Sequence, residues 1–402
     1  MIHSLRNTFY LLINDNVDKS AIISHFEQLS NPLDWDSFVN TAQKEKLLPL
    51  LYYACKQKSI EHLMPASVLA SMQSAYINNM GRTFFLKKSL SEVLKAFNDQ
   101  HIKIMLLKGG AHLVEPLYPD INTRVMSDID IMVLPEDIPR VKQVFQNIGY
   151  AFFPDPWGET NKMNFVKGQF NYELHTRPFS DRKLLMMPSD AVWINARERY
   201  LCESTVTVYL PAMEDMLYHC IFHELIQHGR LFDLQPSTLY EVDQMLKAYQ
   251  DKINLVAFFE RAKHFRLEAH LSFFFYEFEK MFHTLLPSKF RKLMCDTVEQ
   301  LTPFYQQILQ LPPSLKKAGQ RYLNFNFLYD SKHKNRNHFV HYISPSLNSP
   351  REEILSYYRL SPKFKQISPI IRMIHITNVL FLHIVVKCLC IGKNLRNNQP
   401  AR

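Results

Sequence analysis

The chain has 402 residues, 47% apolar and 21% charged, a globular composition that excludes a disordered polymer. It contains only 9 glycines, where average usage is about 7%, so collagen-like, glycine-loop and turn-dense β-sandwich architectures are excluded. The net charge of +9 sits in the C-terminal quarter: positions 316–402 carry 15 Lys+Arg against 3 Asp+Glu, and the first 315 residues carry 32 against 35.

In chain order, residues 1–97 read as an N-terminal helical region. Ala66–Ile77 and Phe84–Phe97 place apolar residues at three- and four-residue spacing, among them Leu86, Leu90, Val93, Leu94 and Phe97. Ile102–Leu107 reads as a buried strand closed by Lys108-Gly109-Gly110, with a helix expected at Ala111–Tyr118. Ser127–Leu134 alternates acids with apolar residues and predicts a second strand. An amphipathic helix over Ile138–Ile148 follows, then strands at Tyr150–Phe153, Gln169–His175 and Thr205–Leu210. Helices are expected at Met213–Gln227, Thr238–Tyr249, Leu255–His264 and Leu267–Leu285. The expected class is therefore α+β, with a small mixed sheet in a core over 98–211 and a second helical region over 212–314. A basic tail over 315–402 holds a short apolar stretch at Met373–Val386, too short for an ordinary membrane span.

The six cysteines (Cys55, Cys202, Cys220, Cys295, Cys388 and Cys390) form no C-x-x-C and no secreted-type framework, so reduced thiols and a cytoplasmic setting are expected. Met1–Asp18 lacks the long apolar region and cleavage site of a signal peptide. The basic run Lys332-His333-Lys334-Asn335-Arg336 would attract RNA or an anionic membrane weakly, which gives the tail a peripheral membrane role as an alternative to a solvated loop.

The chemistry is concentrated around two adjacent glycines and a pair of acids. On a strand, residues i and i+2 share a face, so Asp128 and Asp130 project together while Ile129, Ile131 and Val133 anchor the other side. Like charges held so closely raise their own pKa values unless a cation lies between them, and hard oxygen ligands suit Mg²⁺. Glu173 and His175 share a face of a later strand. If that strand neighbours the first, three acids converge on two metals, an arrangement that clamps the attacking and leaving oxygens of an in-line displacement at phosphorus.

Leu107-Lys108-Gly109-Gly110, Arg124-x-x-Ser127-Asp128-Ile129-Asp130-Ile131-Met132-Val133 and Glu173-Leu174-His175 together resemble the nucleotidyltransferase superfamily with a polymerase-β-like core, and within it the uncharacterised bacterial nucleotidyltransferases. Asp215-Met216-Leu217-x-His219-x-x-x-His223, with Arg230 and Asp243 beyond, adds to the resemblance. The resemblance implies that Asp128, Asp130 and Glu173 are catalytic and bind two Mg²⁺ ions. It implies that Gly109 and Gly110 admit the phosphates of a nucleoside triphosphate such as ATP, and makes Lys108, Arg124, Ser127 and His175 candidate contacts. The implied reaction moves a nucleoside monophosphate to a hydroxyl acceptor, whose identity the sequence leaves open, and releases pyrophosphate. A catalytically degenerate nucleotide- or partner-binding scaffold is the competing reading. His219 and His223, at i and i+4, offer either metal ligation or packing, and packing is the expectation.

Overall fold

The apolar spacing of the N-terminal residues resolves into helices α1 (Ile2–Ile13), α2 (Lys19–Glu27), α3 (Trp35–Lys44), α4 (Leu48–Gln57) and α5 (Ala66–Asn98). The computed structural model describes residues 2–298 apart from 30–32, 155–161, 180–186, 202–205, 229, 231–233, 250, 266, 283, 285 and 296–297. The basic tail, the 373–386 stretch and Cys202, Cys388 and Cys390 lie outside the described residues. Among the described residues, no helix is long and apolar enough to cross a membrane, and Cys55, Cys220 and Cys295 are free.

Local chemistry sets the helix starts. The Asp18 carboxylate accepts the Ala21 N–H at 2.8 Å to cap α2, and Asp34 accepts that of Ser37 at 3.0 Å to cap α3. The two helices expected over 66–97 are one continuous α5 of 33 residues, about 50 Å long. Gly81 in its middle costs about 1 kcal/mol relative to alanine. The buried stripe of Leu86, Leu90, Val93, Leu94 and Phe97 outweighs that cost.

The sheet is mixed, seven strands in the order β3-β4-β5-β2-β1-β7-β6. Its strands are β1 (Met105–Leu106), β2 (Ile129–Met132), β3 (Ala151–Pro154), β4 (Lys162–Lys167), β5 (Phe170–His175), β6 (Arg197–Tyr200) and β7 (Thr207–Leu210). Between them run α6 (Lys108–Val114), α7 (Ile138–Asn147) and α8 (Ser189–Ile194). Beyond β7 come α9 (Met213–Phe222) with a π-turn over His223–Gln227, α10 (Pro236–Tyr249), α11 (Leu255–His264) and α12 (Glu268–Phe282). Strands β4 and β6 and helix α8 are additions to the expected set. The β6 sequence, Arg-Glu-Arg-Tyr, has no apolar alternation, because its two arginines are ion-paired to Glu115 instead. The expected Ala111–Tyr118 helix begins three residues earlier and stops at Val114, so Gly109 and Gly110 lie in its first turn.

What lies under the sheet decides which side chains face up. Phe145 of α7 stacks on Phe165 at 4.2 Å and packs against Tyr150 and Tyr172. Ser89 of α5 bridges the hydroxyls of Tyr150 and Tyr172 at 2.8 and 3.0 Å. With Tyr172 and Leu174 buried on that face, period-2 alternation turns Glu173 and His175 to the other. One apolar cluster runs from Leu5 through this region to Met294.

The end of α5 is clipped to β7. The Asn98 side-chain amide donates to the Thr207 carbonyl at 2.8 Å, and its Oδ1 accepts the Thr207 N–H at 2.7 Å. Asn98→Ala removes both bonds and is expected to cost about 1–3 kcal/mol, measured as a lower denaturant midpoint with an unchanged slope.

Candidate active site

The floor of the site is made by two neighbouring parallel strands. Asp130 of β2 stands opposite Glu173 of β5 in register, and Met132 opposite His175. His175 Nε2 lies 2.9 Å from Asp130 Oδ1 and 3.0 Å from Glu173 Oε1. Each of the three offers a ligand atom, and these atoms lie within 4.8 Å of one another. Two carboxylates and an imidazole at that spacing fit a divalent cation. Asp128 precedes β2 and stands outside this cluster, its carboxylate accepting the Ser127 hydroxyl at 3.0 Å. The trio that the structure brings together is thus Asp130, Glu173 and His175, with Asp128 beside it on the cleft wall.

The protein's own cations balance these acids. Lys108 Nζ is 2.7 Å from Asp130 Oδ1, and Lys162 Nζ is 2.8 Å from Glu173 Oε1. Burial pushes the Asp130 carboxyl up, but Lys108 and His175 outweigh it and hold it well below the usual carboxylate range. Glu173 is likewise lowered, with burial opposed by the His175 hydrogen bond and charge and by Lys162. Asp128 goes the other way, raised by burial and by the Asp130 charge. His175 is raised, because its bonds to Asp130 and Glu173 overcome its burial. The repulsion expected between Asp128 and Asp130 therefore falls on Asp128 alone.

The glycine pair is needed for close approach. A Cβ on Gly109 would lie 2.1 Å from Arg124 Nη1 and 2.9 Å from Met126 Sδ, and one on Gly110 would lie 3.2 Å from Ile129 Cγ2. The positive φ at this turn belongs to Lys108, at 46°, a sparsely populated conformation for a residue with a side chain. Arg124 is fixed from below: its Nε and Nη2 donate to Glu241 Oε2 at 3.0 and 2.8 Å. Glu241 also accepts from His112 Nε2 and from the Tyr118 hydroxyl, both at 3.1 Å. Burial raises the Glu241 carboxyl, but Arg124 and His112 overturn that and hold it far down.

Above this floor is a cleft of about 440 Å³, whose wall carries four cations (Lys46, Lys108, Arg124 and Lys162) and four carboxylates (Asp128, Asp130, Glu173 and Glu241). Lys46 comes from the α3–α4 connection, also has a positive φ (60°), and reaches Ser127 Oγ at 3.3 Å. Helix α5 orders the cleft's other rim, with Arg82 donating to the carbonyls of Met126 and Ser127 at 2.7 and 2.9 Å. Dense charge of both signs suits a polyanion that arrives with cations.

All nine residues expected at the site except Gly110 line this cleft; Gly110 packs under it against β2. Lys46, Lys162 and Glu241 were not expected there. Lys162 lies on a strand without a clear alternating signal, and Lys46 and Glu241 have no local motif. Asp215 and Asp243 serve elsewhere: Asp215 pairs with Arg261 at 2.6 Å, and Asp243 pairs with Lys247 and accepts from Thr284, both at 2.7 Å.

His219 and His223 pack, as expected. His219 meets Phe179 edge-on at 5.1 Å and His223 at 5.6 Å, and neither belongs to the metal-compatible cluster found among the described residues. Burial pushes the His219 pKa down to about 3. The unfolded chain, with an ordinary histidine near 6.5, then binds the extra proton between these values. Stability from this residue is full above pH 6.5 and is lost as pH falls toward 3. Between pH 7 and pH 5 the loss is about 2 kcal/mol. It is expected as the difference in slope between unfolding free energies of wild type and His219→Asn across that range.

The structure thus has a mixed sheet carrying acids on adjacent strands beside a glycine turn, with helices on either side in sequence. Residues 31–283 match the model of an uncharacterised nucleotidyltransferase family, and the chain belongs to that family. The match takes in the N-terminal helices from α3 onward and the helices through α12 as well as the sheet. No curated protein and no solved structure matches the chain.

Proposed function

We propose that the protein transfers a nucleoside monophosphate from an NTP to an acceptor hydroxyl and releases pyrophosphate, with divalent metal held at Asp130, Glu173 and Asp128. The observation that carries this reading is the in-register pairing of Asp130 with Glu173 at the floor of a cleft lined by four cations. Bound Mg²⁺ would supply charge neutralisation and alignment of the phosphate oxygens. Lys108, Arg124 and Lys46 bind the triphosphate, and Gly109 leaves room for it beside the Arg124 guanidinium. Glu173 is the proton acceptor for the attacking hydroxyl, with His175 holding its carboxylate in place. The new bond joins the acceptor oxygen to the α-phosphorus, and the bond to the β-phosphate oxygen breaks with its electrons leaving on pyrophosphate. Alignment and electrostatics carry most of the rate, because this chemistry asks little covalent help from protein.

The scaffold reading draws on a separate observation: Lys108 and Lys162 already pair with Asp130 and Glu173, so these two acids are balanced without metal. A transfer assay separates the two. Purified protein and cell lysate are incubated with each of four α-³²P-labelled NTPs, with and without Mg²⁺. Label appearing on an acceptor only with protein and metal is the expected result. No transfer despite tight metal–NTP binding favours the scaffold.

A further inference from the structure

Strand β4 brings to the cleft a cation, Lys162, that the proposed triphosphate binding and proton transfer do not use. On the antiparallel β4–β5 ladder, Lys162 pairs in register with His175 and Asn164 with Glu173, so Lys162 stands diagonally across from Glu173. A long side chain spans that diagonal. Lys162 Nζ accordingly lies 2.8 Å from Glu173 Oε1, the same oxygen that His175 Nε2 approaches at 3.0 Å. Lys162 also lines the cleft with Lys46, Lys108 and Arg124.

Glu173 is one of the three residues whose ligand atoms gather within 4.8 Å of one another. A divalent ion held there and the Lys162 ammonium would compete for one negative charge. Their mutual repulsion on a single carboxylate exceeds what one charge-assisted hydrogen bond returns. The lysine is the partner free to yield: its side chain is 26% exposed to the cleft, whereas Glu173 is 13% exposed and held by His175. An ammonium released on this wall stands among the cations that face the triphosphate.

We infer that Lys162 is an exchangeable counter-ion: it neutralises Glu173 until a divalent ion takes that carboxylate, and then carries its charge to the triphosphate. Metal and nucleotide are coupled by this exchange. The ion frees the lysine that the nucleotide uses, and the nucleotide holds away the lysine that the ion must displace, by the same factor in both directions. The inference rests on the nucleotidyltransferase reading and deepens it.

Calorimetric titration tests it with Mn²⁺, which takes the same hard oxygen ligands as Mg²⁺. Mn²⁺ alone, and then non-hydrolysable analogues of the four NTPs in saturating Mn²⁺, are titrated into wild type and the neutral variants Lys162→Met and Lys162→Gln. Lys88→Met removes an exposed charge outside the cleft and is the control. Both neutral variants are expected to bind Mn²⁺ alone about tenfold more tightly than wild type, and the analogue about tenfold more weakly, each the worth of one charge-assisted hydrogen bond. The control is expected to stay within about twofold in both titrations. A lysine that only supports the strand would weaken both or neither, so the opposite signs are the mark of exchange. Mn²⁺ affinity unchanged or weakened in both neutral variants, or analogue affinity unchanged in both, would overturn the exchange and leave metal-dependent nucleotide binding by wild type intact. Binding of neither Mn²⁺ nor analogue by wild type overturns the nucleotidyltransferase reading and the exchange with it.

Discussion

Asp130→Asn is expected to lower nucleotidyl transfer by about 10³-fold or more, with the protein still folded at 25 °C. Asp130 is the acid at the centre of the floor, with Lys108 at 2.7 Å, His175 at 2.9 Å and Glu173 as its in-register neighbour. Asparagine keeps the shape and removes the charge that would hold metal. Loss of several kcal/mol of transition-state stabilisation, at 1.36 kcal/mol per decade, gives this magnitude. Stability falls as well, since Lys108 and His175 lose their principal anion, by up to about 3 kcal/mol. Initial rates, with thermal unfolding on the same samples, separate the two effects. Glu136→Gln on the exposed surface after β2 serves as the control and is expected to change neither.

Glu241→Leu is expected to have the largest effect on stability, about 3–5 kcal/mol, or a drop in Tm on the order of 10 °C. Glu241 is 7% exposed and accepts from Arg124, His112 and Tyr118, so its loss strands a buried guanidinium and two polar groups. The double variant Arg124→Met/Glu241→Leu removes the stranded charge along with its partner. Replacing a buried pair by apolar side chains is often neutral or stabilising, so the double variant is expected to regain most of the lost stability. Triphosphate binding is not expected to return, because the cation beside Gly109 is gone. Recovery of Tm without recovery of binding is the signature; recovery of both would mean that Arg124 serves packing alone.

How much of this was legible in the sequence depends on how local the signal is. The alternation Asp128-Ile129-Asp130-Ile131 and the Glu173-Leu174-His175 run each state which face their acids share, and the structure pairs Asp130 with Glu173 across adjacent strands. The pairing itself could not be read, since register between strands 40 residues apart depends on what lies beneath them, here Tyr172 and the Phe145 stack. The glycine pair was visible, but its reason was not. Arg124 Nη1 fills the space of a Gly109 side chain, a tertiary contact that no turn rule describes. Lys46 and Glu241 are silent in the sequence for the same cause. One arrives from a connection between helices and the other from mid-helix, and each acquires its role only when α3–α4 and α10 close over the sheet. Two expected helices over 66–97 fused into one because the spacing continues through Gly81, whose cost is small beside the stripe that follows it.

Asp130, Glu173 and their neighbours are proposed to bind metal and nucleotide together. The most direct measurement is calorimetric titration of an α,β-methylene NTP into wild type and Asp130→Asn, each with Mg²⁺ and with EDTA. Binding that requires Mg²⁺ in wild type and is lost in Asp130→Asn is the predicted result. Binding that is equally strong in EDTA, or unchanged in Asp130→Asn, would contradict it.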